Sequence, residues 1–156
     1  MGNSATPQPD PAAALSELPA RIVFFDGVCA FCDRSVLWLI ERDPEARLHF
    51  APLQGQTAEI VRRAFAKRFP SDIDTIVYLR PGNGPGGREI SMRSEAALEI
   101  CDEVEVSLKW LALLRWLPRS LADLGYRLFA SNRYRMFGKL DTCDIPTPDE
   151  RARLLP

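Results

Sequence analysis

The stretch RIVFFDGVCAFCDRSVLWLIER at residues 21–42 decides the fold of this chain, because two segments of different periodicity meet in it around two cysteines. Its first five residues form a short apolar run rich in β-branched and aromatic side chains, which predicts a buried strand. Its second half has apolar residues at helical spacing and ends before Asp43-Pro44, which predicts a helix ending near Arg42. Cys29 and Cys32 therefore lie at a predicted strand-to-helix turn.

Two cysteines at the start of a helix are suited to thiol chemistry. The unbonded amides and the dipole at a helix N-terminus favour negative charge, so a thiol there loses its proton more readily. We expect Cys29 to be the exposed nucleophile. Cys32 returns to nearly the same face one turn later and can attack a mixed disulfide on Cys29. Asp26 is expected either to relay protons to Cys32 or to cap the following amides.

The C-x-x-C spacing also fits half of a zinc site or an inert structural pair. The chain has no second C-x-x-C and no H-x-x-H, so redox chemistry is favoured, and no metal or other cofactor is predicted. Cys143 could be a third redox thiol, a zinc ligand or an inert thiol, and its neighbours Asp141 and Asp144 disfavour a thiolate.

At these residues the chain resembles the DCC family of thiol-disulfide oxidoreductases. The segment DGVCAFC at residues 26–32, directly after a strand, is similar to the family signature D-G-x-C-x-x-C. The likeness extends over about residues 20 to 143 and includes four further segments, at residues 47–54, 74–79, 93–98 and 132–135. The resemblance implies a thioredoxin-like fold and thiol-disulfide exchange. A cysteine near position 143 is also common in the family.

The order of the predicted elements supports the same fold independently. It is strand, helix, strand, helix, strand, strand, helix, and a βαβ half followed by ββα is the thioredoxin arrangement. The predicted fold class is therefore α/β, with a thioredoxin-like core and added C-terminal helices. Asp74 occupies the place where thioredoxins have a cis-proline. A trans peptide bond is expected there, and substrate recognition should then differ from that of thioredoxin.

Five further residues are candidates for binding the substrate or tuning the thiolate: Gly27, Arg93, Ser94, Arg133 and Arg135. Arg133 or Arg135 is expected to fold back towards Cys29 and stabilise its thiolate. Ser94 is also the expected cap of the last core helix. Cys101, within that helix, is expected to be a small buried hydrophobe, and the single histidine, His49, to be solvated.

Length and composition indicate one globular domain. The chain has 156 residues, of which 46% are hydrophobic, and a net charge of −1, so no overall field attracts nucleic acid. Residues 1–19 are predicted to be a disordered leader, 20–140 the thioredoxin-like domain with a C-terminal helical extension, and 141–156 a tail. No Lys or Arg precedes Arg21 and no long apolar run lies there, so a cytoplasmic location is expected.

Residues 108–129 contain two apolar segments separated by Pro118. Neither segment reaches the roughly 20 residues of a spanning helix, so no transmembrane segment is predicted. We expect two helices that pack on the domain near the Cys turn. Alternatively, this surface docks a partner or a bilayer, and the chain is a noncatalytic thioredoxin-like binding module.

The leading hypothesis is a cytosolic oxidoreductase in which the Cys29/Cys32 dithiol exchanges with a substrate disulfide. The expected partners are a disulfide-bearing protein or a low-molecular-weight thiol as substrate, and a cellular thiol reductant that restores the pair. The sequence does not distinguish a reductant from an oxidant, because the dipeptide Ala30-Phe31 between the cysteines leaves the potential open.

Overall fold

The computed structural model describes residues 10–27, 30–69, 75–104, 118–137 and 147–156. Within these ranges the elements in chain order are α1 (Pro11–Glu17), β1 (Ile22–Phe25), α2 (Ala30–Glu41), β2 (His49–Pro52), α3 (Gln56–Ala64), β3 (Val77–Pro81), β4 (Arg88–Met92), α4 (Arg93–Glu103), α5 (Arg119–Phe137) and α6 (Pro148–Arg151). The elements from β1 to α4 follow the predicted order.

The four strands form one mixed sheet in the order β2-β1-β3-β4. β1 is parallel to β2 and antiparallel to β3, and β3 and β4 form a hairpin. A parallel pair needs a long crossover, which α2 provides. The hairpin loop includes Gly86 and Gly87 at φ values of 59° and 70°, a left-handed conformation that favours glycine. The α/β, thioredoxin-like fold predicted from the sequence is confirmed.

Strand β1 supplies side chains to both faces of the sheet. Ile22 and Phe24 pack in the core under α1 and α3, whereas Val23 and Phe25 pack in the core under α2 and α4. This division follows from the alternation of side chains along a strand. Because all four side chains are buried, the sequence shows a continuous apolar run instead of an alternating pattern.

Helix α1 corrects the prediction of a disordered leader over residues 1–19. Asp10 Oδ1 accepts a hydrogen bond from Ala12 N at 3.0 Å, and Pro11 occupies the first helical position, where proline is well tolerated. Leu15 is fully buried in the core under α3. This buried contact orders the segment, whose composition alone suggested mobility. Residues 1–9 of the predicted leader lie outside the described residues.

Residues 147–156, predicted to belong to a tail, pack along β2. Phe50 N donates to Arg153 O at 2.9 Å and Leu155 N donates to Phe50 O at 2.8 Å, so Leu154 forms a parallel bridge with Phe50. Arg153 Nη1 also donates to Asp43 Oδ2 at 3.2 Å. The segment thereby covers the outer edge of β2, whose backbone groups would otherwise lack partners.

Helix α5 represents the predicted C-terminal extension and packs against α4 and α2. The preceding apolar segment, at residues 105–117, lies outside the described residues. In the part of the chain that the structure describes, every helix is too short or too polar to cross a bilayer.

Candidate active site

One end of the sheet gathers the residues around the C-x-x-C turn, and we call it the Cys edge (residues 26–27, 30–32, 53–55, 75–76 and 93–94). Phe25, the last residue of β1, pairs with Pro52, the last residue of β2. Because Phe24 pairs with Val77 in the antiparallel β3, the chain entering β3 lies at the same end. Segments far apart in sequence therefore meet at the end of the sheet from which the chain enters the C-x-x-C segment.

Cys32 is the third residue of α2 and carries a half-buried thiol. It packs against the core formed by α2 and α4. Its place in the first helical turn exposes it to the unbonded amides and the dipole, which favour a thiolate. Val28 and Cys29 lie outside the described residues. The role of Cys29 as the exposed nucleophile therefore stays a prediction.

Asp26 is a buried carboxyl-bearing residue at the end of β1, only 5% exposed. Gln54 Nε2 donates a hydrogen bond to Asp26 Oδ1 at 3.2 Å. Gln54 was not among the site residues predicted from the sequence. A signal was nevertheless present, because Gln54 follows a strand predicted to lie parallel to β1, and such strands end at the same edge of a sheet.

Gly27 allows the turn to approach the end of β2 closely. A Cβ at this position would lie 3.3 Å from Pro52 Cβ and 3.6 Å from Gln54 Oε1. The first distance is tighter than an ordinary contact, so a larger residue would displace the turn. The structure thus explains Gly27 by packing, and its direct part in substrate binding stays a prediction.

Arg93 and Ser94 both lie at the Cys edge, where β4 gives way to α4. Arg93 has a φ of +58°, which is uncommon for a residue with a side chain. Ser94 Oγ donates to Asp123 Oδ1 of α5 at 2.7 Å. The expected Ser94 cap is therefore wrong: Met92 is the N-cap residue of α4, and the Ser94 hydroxyl connects two helices instead.

Tyr126 of α5 also reaches the Cys edge. Its hydroxyl accepts a hydrogen bond from Ile76 N at 3.1 Å. Together with the bond between Ser94 and Asp123, it attaches α5 to the edge at two points. Asp123 and Tyr126 are three residues apart and so share one side of the helix. Helices near the Cys turn were expected from the sequence, but neither of these contacts was predicted.

Thr75 is a second residue at this edge that the sequence analysis overlooked. It is 5% exposed, and its hydroxyl has no hydrogen-bond partner among the described residues. Thr75 lies two residues before β3, at the end of the sheet where Asp26 follows β1. A buried polar group without a partner is uncommon in folded proteins, so Thr75 is a notable feature of the edge.

The remaining predicted site residues are not brought to the edge or are not described. Arg135 is exposed and lies about two and a half turns after Tyr126, so it occupies the opposite side of α5. The side chain of Arg133 and the residues Cys143 and Asp74 lie outside what the structure describes. Thiolate stabilisation by Arg133 accordingly stays a prediction.

His49 and Cys101 lie in other environments. His49 is half-buried at the start of β2, and burial lowers its pKa, an effect that Arg153 reinforces and Asp43 opposes. It is less solvated than expected because the 147–156 segment packs beside it. Cys101 in α4 is half-buried, and burial, with a further contribution from Asp102, raises the pKa of its thiol.

Among the described residues, no three His, Cys, Asp or Glu side chains are grouped as metal ligands. Cys29 and Cys143, which the zinc alternative would combine with Cys32, lie outside these residues. The zinc alternative therefore requires measurement of metal in the purified protein.

Comparison with known proteins agrees with the fold. A family model described as DCC1-like thiol-disulfide oxidoreductase matches residues 23–139. The uncharacterized protein YuxK of Bacillus subtilis (strain 168) is 30% identical over 141 residues, covering 90% of this chain and 97% of YuxK. A chloroplastic DCC family protein of Arabidopsis thaliana is 30% identical over 127 residues, 80% of this chain and 69% of that protein.

No solved structure gives a significant match. The family match begins within β1 and extends past the end of α5, so it includes every segment of the Cys edge. The resemblance inferred from the D-G-x-C-x-x-C segment is thereby confirmed, and the chain belongs to the DCC1-like thiol-disulfide oxidoreductase family.

Proposed function

We propose that the chain is a thiol-disulfide oxidoreductase in which Cys29 and Cys32 form the exchanging pair. The observation that carries the proposal is the position of Cys32. It lies in the first turn of a helix that follows a buried parallel strand, and in the sequence it comes three residues after a second cysteine and six after the buried Asp26. Helix starts of this kind lower thiol pKa values and support exchange.

The reaction balances without a cofactor. The Cys29 thiolate attacks one sulfur of the substrate disulfide, a mixed disulfide forms, and the other substrate sulfur leaves and takes up a proton. Cys32 then attacks the Cys29 sulfur and releases the second substrate thiol. Two electrons pass from the dithiol to the substrate, and a cellular thiol reductant returns the Cys29–Cys32 disulfide to the dithiol.

Asp26 is the residue that we assign to proton transfer for Cys32. Its burial excludes bulk water, and the amide of Gln54 holds one carboxyl oxygen. A buried carboxyl in this position can accept the proton that Cys32 must lose before it attacks. The alternative role is structural, as a cap for the amides that follow Gly27.

Trapping of the mixed disulfide tests the proposed order of attack. In a Cys32→Ser variant the second step is blocked, so a substrate should stay covalently bound to Cys29 and be released by dithiothreitol. A matched Cys29→Ser variant should hold no substrate. The proposal fails if both variants reduce disulfides as fast as the wild type, or if the purified protein holds stoichiometric zinc on its cysteines.

We propose a cytoplasmic setting, which suits this chemistry. A dithiol that reduces substrates needs a compartment whose thiol pool returns it to the reduced state, and the cytoplasm meets this requirement. Alkylation of cell extracts under acid quench would give the redox state of Cys29 and Cys32. A largely reduced pair agrees with a cytoplasmic reductant, and a fully oxidised pair contradicts it.

A second candidate function is a noncatalytic binding module, and one observation favours it. Leu121, Leu124 and Leu128 on α5 are 52%, 53% and 59% exposed. Their spacing places them on one side of the helix, which is typical of docking surfaces. Anionic phospholipid vesicles should then bind the Cys29→Ser, Cys32→Ser double variant but should not bind a Leu124→Glu variant. Equal sedimentation of both variants would remove this candidate.

A further inference from the structure

The first backbone amide of the chain entering β3 is bonded to a side chain from outside the sheet. Ile76 N donates to the Tyr126 hydroxyl at 3.1 Å, while Ile76 O accepts from Arg93 N at 3.1 Å. Ile76 lies at the Cys edge, and its side chain packs against the same core as Cys32. The Tyr126 hydroxyl therefore occupies the backbone amide of Ile76, at the same end of the sheet as Cys32.

The local geometry of Arg93 explains why a side chain is needed at this point. Residues of an antiparallel pair that face each other through hydrogen bonds normally exchange two of them. Arg93 begins α4 with a left-handed φ of +58°, so its carbonyl belongs to the helix. Arg93 N donates to Ile76 O, but Ile76 N donates to Tyr126 and not to Arg93 O. The amide of Ile76 is left to an outside acceptor.

An incoming extended chain could provide such an acceptor. Proteins that bind peptides along a sheet do so through unpaired backbone amides and carbonyls, with side-chain pockets adding specificity. Three other amides near this end of the sheet are bonded within the chain: Leu53 N to Phe25 O at 2.8 Å, Gly55 N to Pro52 O at 3.0 Å and Thr57 N to Pro156 O at 2.8 Å. Ile76 N, in contrast, is bonded by a side chain of α5, the hydroxyl of Tyr126.

On the basis of the proposed function, we propose that Tyr126 makes the Cys edge selective for small disulfides over disulfides in extended polypeptides. With the Ile76 amide held by Tyr126, the edge recognises its substrate through side chains, which Gln54 and Arg93 supply. The cation of Arg93 is suited to a low-molecular-weight thiol that carries a carboxylate. Tyr126 acts through the backbone of Ile76 and is a specificity-determining residue.

The test uses activated disulfides, which react with any accessible thiol. A thiolate attacks the alkyl sulfur of a 2-pyridyl disulfide, a mixed disulfide forms and 2-thiopyridone leaves with the electron pair, so the reaction is followed by absorbance. One reagent carries 2-hydroxyethyl as its alkyl group, and the other carries an unstructured cysteine-containing peptide. Both are applied to the Cys32→Ser protein, and modification of Cys29 is verified by peptide mass.

We expect the protein to favour the small reagent by about tenfold or more, relative to the ratio measured with free N-acetylcysteine. Tyr126→Phe keeps the ring but releases the Ile76 amide, so it should reduce this preference by about 2- to 10-fold, the factor of one hydrogen bond. Asp123→Ala is the matched control. It removes the other attachment of α5 without releasing a backbone amide, and the preference should stay unchanged.

Two outcomes overturn the proposal. One is that the Cys32→Ser protein, with Tyr126 intact, shows the same preference between the two reagents as free N-acetylcysteine. The other is an equal change in Tyr126→Phe and Asp123→Ala, which would indicate a general loosening of α5. Failure of the proposed function is a separate result. If Cys29 and Cys32 do not cycle, both reagents still modify Cys29 and the preference is still measured.

Discussion

The two ends of the sheet are held together in different ways. At the Cys edge the attachments are single hydrogen bonds donated by neutral groups: the Gln54 amide, the Ser94 hydroxyl and the Ile76 amide. At the opposite end, which we call the closed end (residues 21, 43, 47–49, 103 and 153), the side-chain donors are arginines. Arg21 Nε lies 3.0 Å from Glu103 Oε1, and Arg153 Nη1 lies 3.2 Å from Asp43 Oδ2.

The closed end also binds distant segments together. Asp43 is 1% exposed and accepts from Leu48 N at 2.8 Å as well as from Arg153. Arg47 Nη2 donates to Glu103 O at 2.7 Å. Ion pairs in which the donor and the acceptor are both charged lose more when one partner is removed, because the other charge is then left without its partner. We infer that the closed end contributes stability and that the Cys edge leaves room for exchange chemistry.

The largest expected effect is the loss of the Asp43 carboxylate. Asp43→Ala removes the carboxylate that accepts from Leu48 N and Arg153 Nη1, so the buried Leu48 amide loses its partner and the half-buried Arg153 keeps only its bond to the backbone carbonyl of residue 43 among these contacts. We expect the free energy of unfolding to fall by about 3 kcal/mol, measured by urea unfolding. The reaction of Cys29 and Cys32 with iodoacetamide should stay unchanged in the folded variant, because the substitution lies at the other end of the sheet.

Gln54→Ala and Glu45→Ala are the matched comparisons for Asp43→Ala. Gln54→Ala removes one bond to Asp26 at the Cys edge, so we expect a loss of about 1 kcal/mol together with altered thiol reactivity. Glu45 has an exposed side chain, and its replacement should change stability by less than about 0.5 kcal/mol. Equal losses for Asp43→Ala and Gln54→Ala would remove the distinction between the two ends.

A smaller effect should come from His49 at the closed end. Burial and Arg153 lower its pKa in the folded protein below the ordinary 6.5, so the unfolded chain binds the proton more readily. The contribution of neutral His49 to the free energy of unfolding is therefore complete above pH 6.5. It is lost as the pH falls through the pKa of His49 in the folded protein. Urea unfolding between about pH 7.5 and 5.5 should show this decline, and His49→Gln should reduce it. A pH dependence identical in both proteins would contradict the assignment.

Local patterns in the sequence predicted much of the fold. The apolar run of β1, the cysteine turn and the helical spacing of α2 are adjacent in the chain, so their periodicities were sufficient to identify them. The βαβ and ββα order then gave the thioredoxin-like arrangement. Asp26 and Cys32 were identified as candidate site residues for the same reason, because both belong to this one segment.

Contacts made by single side chains over long distances in sequence could not be predicted. The bond from Arg153 to Asp43 spans 110 positions, and that from Ile76 to Tyr126 spans 50. Neither contact leaves a periodic signal in the sequence. The burial of Leu15 could not be predicted either. The prolines and alanines around it suggested a disordered leader, but this contact orders α1. Gln54 is an intermediate case, since the parallel pairing of β1 and β2 would have indicated it.

The measurement that tests the central claim most directly is the equilibrium of the purified protein with mixtures of reduced and oxidised dithiothreitol. The fraction of Cys29 and Cys32 protected from alkylation is determined at each ratio, with the thiol of Cys101, whose pKa is raised by burial, as a slowly reacting internal reference. We expect both cysteines to become protected together, in one reversible two-electron transition. Continued alkylation of either cysteine under fully oxidising conditions would contradict it.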